Sequence, residues 1–137
     1  MSAETISIYV ERATDGTYWG STQNLPGVVS AYGNSLEELK NNLSEAFTSY
    51  LEVAKDLKEE WVKKIGNNPS FEYMLDIPSF FKLLPELKIS ALAKKAGINE
   101  SLMRQYATGK ANASEERAKQ IERAVHELGK ELLSVSL

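Results

Sequence analysis

The polar side chains best placed for binding chemistry lie between Leu92 and Lys110. Their spacing predicts two short helices joined by a turn that contains Gly97. The second helix would place its apolar residues on one side, and the polar residues left on its outer side are Glu100, Ser101, Arg104, Gln105 and Thr108. Five cations and one anion lie between Lys88 and Ala113. Amide, hydroxyl and guanidinium groups are side-chain types that can form hydrogen bonds with base edges and phosphates, although the net charge of −3 for the whole chain by itself argues against a nucleic-acid binder.

Catalytic chemistry has fewer candidates. The chain has no cysteine and one histidine, His126, which excludes thiol nucleophiles, cysteine zinc sites and mechanisms that need two histidines. Clustered carboxylates hold the two metal ions of RNase H-like nucleases, and the carboxylates of the predicted strands are Glu11, Glu72 and Asp76. Because the first strand has no acid at its centre, we interpret these three as surface carboxylates. We expect no catalytic residue, no metal site and no cofactor, with a metal-dependent nuclease as the alternative.

The first part of the chain predicts a small sheet covered by one long helix. Ser35, with Glu38 three residues later, fits a capping box. An apolar stripe continues this helix to Trp61, and the helix is expected to stop at 66–69. The order β-β-β-α-β is most simply a single sheet with the helix on one face. Alternation of apolar and polar residues places the first and fourth strands at 5–11 and 71–77, and turn residues bound the second and third strands at 17–22 and 28–32.

The outer face of this sheet is expected to be only partly polar. Ile6, Ile8 and Val10 would face the helix, which leaves Tyr9 and Trp19 on the opposite face together with Ser7. Tyr9 and Trp19 could form a surface for a partner protein, or they could be buried in a homodimer. The sequence leaves both interpretations open.

The rest of the chain predicts only helices after a boundary at Pro78-Ser79, so the fold class is α+β with domains at 1–78 and 79–137. Caps and glycines place helices at 89–96, at 100–107 after Asn99, and from Ser114 onward, with Gly129 expected to kink or fray the last one. Residues 1–78 hold 6 cations and 12 anions, a net charge of −6, whereas residues 79–137 hold 10 and 7, a net charge of +3. Opposite charges suggest two modules with different partners.

Residues 87–128 resemble the helix-turn-helix of phage-repressor-like (XRE-type) regulators. The likeness is carried by the small Ala93, the turn glycine Gly97, the Gly109-Lys110 pair after the second helix, and an apolar seam formed by Ile98, Met103 and Tyr106. In that family the second helix enters the major groove of DNA. The alternative is a helical cap whose basic residues form a solvated face.

This resemblance implies which residues contact DNA. Glu100, Ser101 and Gln105 fall at base-reading positions, and Arg104 could reach a guanine or a phosphate. The anionic Glu100 could accept from cytosine or could serve only as a charge at the helix start. The other implied DNA contacts are Lys94, Lys95, Thr108, Lys110 and Asn112.

Residues 5–77 resemble the HicB antitoxin family. The runs that carry the likeness are Asp15-Gly-Thr-Tyr-Trp19, Leu25-Pro-Gly-Val28 and Gly33-Asn-Ser-Leu-Glu-Glu38. The resemblance implies a partial RNase H-like domain that binds and neutralises a HicA-like ribonuclease toxin. It also implies that the second domain represses the operon by binding double-stranded operator DNA. A stand-alone transcriptional regulator and a nuclease are the alternatives.

Oligomeric state and location are inferred from general features. Helix-turn-helix proteins read paired half-sites, so we expect a homodimer or higher oligomer, with the apolar tail 132–137 as a candidate seam. No apolar run approaches the ~18 residues of a membrane span. The acidic start, residues 1–5, lacks an apolar segment, so we expect no secretory signal and a cytoplasmic location.

Overall fold

The computed structural model describes residues 4–66 and 69–137, and these form an α+β fold with a four-stranded mixed sheet and six helices. The chain divides into two compact units, Met1–Asp76 and Ile77–Leu137. None of the helices in the described ranges has the length and apolar character needed to cross a bilayer. Residues 1–3, on which the expectation about a secretory signal partly rests, and 67–68, within the predicted helix stop, lie outside the described residues.

The sheet of the first unit contains β1 (Thr5–Arg12), β2 (Tyr18–Thr22), β3 (Ser30–Gly33) and β4 (Ser70–Met74), in the order β3-β2-β1-β4. β1 is antiparallel to β2 and parallel to β4. The β1–β2 turn is held by Asp15, whose carboxylate accepts hydrogen bonds from the backbone N–H of Thr17 at 3.0 Å and from its hydroxyl at 2.7 Å. Gly16 supplies the positive φ of 89° that this turn requires. β1 and β2 therefore form an antiparallel hairpin close to the positions of the first two predicted strands.

Helix α1 (Leu36–Asp56) covers one face of the sheet, as predicted. The hydroxyl of Ser35 accepts from the backbone N–H of Glu38 at 3.1 Å, so the predicted N-cap is present. Gly33 is buried where β3 passes the start of α1, and a Cβ there would lie 2.5 Å from the backbone nitrogen of Leu39. The buried side chains between the sheet and α1 include Ile6, Ile8, Val10, Leu39, Leu43 and Phe47.

The predicted continuous helix from Leu36 to Trp61 is wrong. α1 ends at Asp56, Lys58 adopts a positive φ of 55°, and a short helix α2 (Trp61–Ile65) follows. The break allows the chain to fold back, and Trp61 then stacks on Tyr50 with ring centroids 5.4 Å apart. Trp61 continues the apolar pattern of α1 in the sequence, but it is not part of that helix. It is partly buried because the chain turns back and brings it against Tyr50.

Two strand boundaries also differ from prediction. β3 begins at Ser30 instead of Val28, because the backbone N–H of Val29 bonds the hydroxyl of Thr22 at 2.9 Å instead of a main-chain carbonyl. β4 ends at Met74 instead of Ile77, which starts a helix and packs against the core of the second unit. The alternation from 71 to 77 therefore combines β4, which belongs to the sheet of the first unit, with Ile77, which packs against the core of the second unit.

The second unit consists of α3 (Ile77–Leu83), α4 (Ile89–Ala96), α5 (Glu100–Thr108) and α6 (Glu115–Leu133). The predicted boundary Pro78-Ser79 lies within the first turn of α3, and the two units divide at 76/77. Gly129 lies inside α6, which continues to Leu133, because a single glycine inside a helix costs only about 1 kcal/mol. The shared core consists of Phe81, Leu92, Ala93, Ile98, Met103, Tyr106, Ile121 and Ala124.

Candidate nucleic-acid interface

The turn between α4 and α5 is fixed by local hydrogen bonds. Gly97 ends α4 in the left-handed region at a φ of 73°, and the backbone N–H of Ile98 donates to the carbonyl of Ala93 at 2.9 Å. The side chain of Asn99 then accepts from the backbone N–H groups of Ser101 and Leu102 at 2.9 and 3.3 Å. Both caps agree with the sequence prediction, and together they orient α5 relative to α4.

Helix α5 is anchored by one side only. Met103 and Tyr106 are buried in the core with Ile98, as the predicted apolar seam requires. At about 100° per residue, positions 100, 101, 104, 105 and 108 span an arc of roughly 140° around the helix, opposite this buried side. The exposed residues on this arc, which we call the outer face of α5, are Glu100, Ser101, Arg104, Gln105 and Thr108.

The predicted DNA-contacting cations have different surroundings. Lys94 and Lys110 are exposed, whereas the Nζ of Lys95 forms an ion pair with Glu131 of α6 at 2.6 Å. The hydrogen bond to Glu131 raises the pKa of Lys95. Lys95 is therefore fully charged near neutral pH, but its charge is already directed at a carboxylate of the same unit.

Arg104 is held much more weakly. Its guanidinium lies 3.8 Å from the carboxylate of Glu100 one turn earlier, and both side chains are more than half exposed. Exposed pairs of this spacing contribute only about 0.3–0.5 kcal/mol. Arg104 can therefore leave Glu100 for a phosphate or a base at little cost. Glu100 itself lies in the first turn of α5, where a negative charge is favourable.

The neutral polar residues of the interface also differ from one another. The hydroxyl of Thr108 donates to the carbonyls of Arg104 and Gln105 at 3.0 and 3.3 Å, so its proton is already engaged by the helix backbone. Ser101 and Gln105 are exposed on the outer face, and Asn112 is exposed just beyond the end of α5. Gln105 therefore presents the most extended neutral donor–acceptor group to a ligand.

Sequence reasoning missed Gln120, which positions the interface without belonging to it. Its side-chain amide donates to the carbonyl of Ala96, at the last turn of α4, at 2.7 Å. Its oxygen accepts from Arg117 at 3.3 Å. Carbonyls at a helix end need donors, but which distant residue supplies one cannot be read from a single sequence.

The first unit carries a different candidate surface on the outer face of its sheet. Tyr9 and Trp19, the predicted partner-binding residues, are both exposed there. Trp19 stacks on Tyr32, with ring centroids 4.9 Å apart. Tyr32 and Met74 extend the surface and were not predicted as site residues, although their period-two positions in β3 and β4 could have indicated them.

The strand carboxylates are not gathered into a metal site. Glu72 lies opposite Ser7 on the sheet, and Glu11 is four residues further along β1, a separation of roughly 13 Å at strand geometry. Two-metal catalysis needs ions about 4 Å apart held by shared carboxylates. Among residues 4–66 and 69–137, no three His, Cys, Asp or Glu side chains form such a group. His126 lies exposed on α6.

Comparison with protein-family models, with curated proteins and with solved structures finds no match. The geometry of these two surfaces and the sequence motifs are therefore the features of the chain that bear on its function.

Proposed function

We propose that this chain is the antitoxin of a type II toxin–antitoxin system. The unit Ile77–Leu137 is a helix-turn-helix domain that binds operator DNA and represses its own operon. The unit Met1–Asp76 is a partial RNase H-like domain that binds and neutralises a HicA-like ribonuclease toxin. The observation that carries the proposal is the outer face of α5, a polar arc on a helix whose opposite side is buried.

The DNA-binding part is supported by the chemistry of this arc. An α-helix fits the major groove, where Gln105 could bond an adenine at two points and Ser101 could bond several bases. Arg104 lies on the same face, and Lys94 in α4 and Lys110 just after α5 are exposed cations of the same unit. Phosphate contacts by such cations fix the orientation in which a helix reads bases.

The antitoxin part is supported by the sequence runs that resemble the HicB family, and each run has a defined place in the fold. Asp15–Trp19 forms the first hairpin turn and the start of β2, and Gly33–Glu38 forms the capped start of α1. In the Leu25–Val28 run, the backbone N–H of Gly27 donates to the hydroxyl of Tyr50 at 3.1 Å. The fold explains why these runs adopt turns and a capped helix start. The toxin as a partner is implied only by the resemblance to the HicB family.

The DNA-binding part is tested by fluorescence anisotropy with a labelled duplex from the region upstream of the chain's own gene. We expect affinity at least about 10³-fold above that for a scrambled duplex of the same composition, at fixed salt. Equal affinity for the two duplexes would contradict operator binding.

The antitoxin part is tested by purifying the chain from its native host. We expect a small basic polypeptide to copurify, to cleave RNA once separated under denaturing conditions and refolded, and to lose that activity when the chain is added back. Selective operator binding without such a polypeptide would identify a stand-alone regulator, which is the second candidate because it uses the same outer face of α5.

A further inference from the structure

The outer face of the sheet carries large aromatic and apolar side chains that are exposed and that do not contribute to the buried core. Strand registers place eleven side chains on this face: Thr5, Ser7, Tyr9, Glu11, Trp19, Ser21, Ser30, Tyr32, Ser70, Glu72 and Met74. Tyr9, Trp19, Tyr32 and Met74 are 47%, 44%, 51% and 48% exposed. Four large apolar or aromatic side chains that are each about half exposed on one face are typical of a binding surface.

The charges on this face have one sign. Glu11 and Glu72 are both exposed, and none of the eleven positions is a lysine or an arginine. The unit that carries this face is also negatively charged, because residues 4–76 hold 6 cations and 12 anions. The face therefore complements a positively charged ligand and repels the phosphates of a nucleic acid.

The arrangement of the aromatic groups specifies the ligand chemistry further. Cross-strand pairing puts Glu11 beside Trp19 and Trp19 beside Tyr32, so a carboxylate and two stacked rings lie in one row across three strands. A guanidinium can stack on an aromatic ring while it donates two hydrogen bonds to a carboxylate. This row has the components of an arginine-binding site.

The same charges disfavour a second copy of the chain as the occupant. A two-fold interface places the same patch of both copies in contact. Here it would bring two pairs of carboxylates into one buried surface that supplies no cation. The charges of this face therefore favour a partner protein over a homodimer, the two interpretations of Tyr9 and Trp19 that the sequence leaves open.

We propose that the outer face of the sheet is the docking surface for a basic protein, and that an arginine of the partner stacks on Trp19 and pairs with Glu11. The identification of this partner as the toxin rests on the proposed function. The charge and aromatic character of the face do not depend on that function.

The test uses the full chain, labelled with ¹⁵N, and the peptide acetyl-Gly-Arg-Gly-Arg-Gly-Arg-amide at low salt. The chain has two tryptophans, and Trp61, stacked on Tyr50 away from this face, is an internal reference. We expect the indole N–H resonance of Trp19 to shift with saturation while that of Trp61 does not. The corresponding glutamate peptide should shift neither resonance.

Matched charge variants separate a specific site from general attraction. Glu11→Gln with Glu72→Gln should weaken binding of the arginine peptide about three- to tenfold, as expected for two exposed charge contacts. Glu37→Gln with Glu45→Gln removes the same charge from exposed positions of α1 and should change the affinity less than twofold. Equal losses in the two pairs, or no shift at Trp19, would overturn the proposal.

Sedimentation of Trp19→Ala tests the other occupant. If this change turns a dimer into a monomer, the face is an interface between copies and the proposal is wrong. If the chain binds a toxin undiminished by Glu11→Gln with Glu72→Gln, the docking surface is wrong and the proposed function remains. If no toxin copurifies but the Trp19 resonance responds to the arginine peptide, the proposed function is wrong and the docking surface for a basic partner remains.

Discussion

At the scale of single residues, the adjacent lysines of α4 show how a predicted contact depends on its surroundings. Lys94 and Lys95 are equivalent in the sequence as candidate phosphate ligands. In the folded unit Lys94 is exposed, whereas Lys95 is paired with Glu131, 36 residues away. A pair of this kind could not be predicted, because it requires the packing of α6 against α4.

Glu131→Gln should release Lys95 for DNA. We expect tighter binding to any duplex and a salt dependence steeper by about 0.9 in log–log slope, the value for one additional phosphate contact. Glu122→Gln is the matched control, since it removes one charge from the same helix and its partner is Lys119. Anisotropy titrations over a range of salt concentrations measure both effects, and identical slopes in the two variants would show that Lys95 gains no phosphate contact.

Asp15 gives a pH dependence at the same scale. Hydrogen bonds from the hydroxyl and the backbone N–H of Thr17 hold the pKa of Asp15 below its ordinary value of 3.8. A carboxylate whose pKa is lowered by folding stabilises the folded state above its unfolded pKa, and this contribution is lost as pH falls through the folded pKa. Asp15→Ala should therefore lower the urea midpoint more at about pH 7 than at about pH 2. A difference that is the same at both pH values would contradict this role.

At the scale of elements, the prediction from sequence was most accurate where ends are fixed by local chemistry. Asn99 and Ser114 cap the helices that follow them, and Gly97 and Gly109 adopt the positive φ that ends the helices before them. Each of these signals acts within a few residues. The helix-turn-helix candidate and its exposed polar residues were therefore placed nearly to the residue.

Element ends set by tertiary contacts were placed less well. After the break at the end of α1, Trp61 stacks on Tyr50, and after the end of β4, Ile77 packs against the core of the second unit. A single sequence shows the apolar pattern in both places but not which core it belongs to. Tyr32 and Met74 differ from these two cases, because their period-two positions in β3 and β4 could have indicated that they lie on the outer face of the sheet.

Two glycines test the packing of elements. Gly33→Ala should destabilise the first unit by several kcal/mol, because the new Cβ would lie 2.5 Å from the backbone nitrogen of Leu39 in α1.

Gly129→Ala should stabilise α6 by about 1 kcal/mol, because it replaces a helical glycine whose Cβ position is open. Urea denaturation of both variants measures these changes, and a neutral Gly33→Ala would show that β3 is not packed as closely on α1 as described.

At the scale of the whole molecule, the two units have opposite charge and distinct candidate surfaces. The acidic unit presents an aromatic face without cations among its eleven positions, and the basic unit presents the outer face of α5. The sequence already indicated this division through its charge asymmetry. A toxin partner and an operator are compatible with such a chain because each surface has its own ligand chemistry.

Operator binding by this chain should require a dimer. Side chains at the end of α6 and beyond it are largely exposed, including Leu133 at 90%. We expect sedimentation velocity at micromolar concentration to show a dimer, and Leu132→Asp with Leu133→Asp to give a monomer, because buried apolar contacts would be replaced by facing charges. Val53→Asp, at an exposed apolar position of α1, is the control. A wild-type monomer would contradict the expectation.

The most direct test of the account compares Gln105→Ala with Lys110→Ala in operator anisotropy, with growth rescue from the toxin scored in parallel. Gln105→Ala should lower specific operator affinity roughly 5- to 150-fold with little change in salt slope, as expected for one base contact. Lys110→Ala should weaken binding to all DNA alike and flatten the slope by about one unit. Both variants should still rescue growth. Normal operator binding by Gln105→Ala, or loss of rescue along with binding, would contradict the assignment of α5 to the major groove or the separation of the two functions.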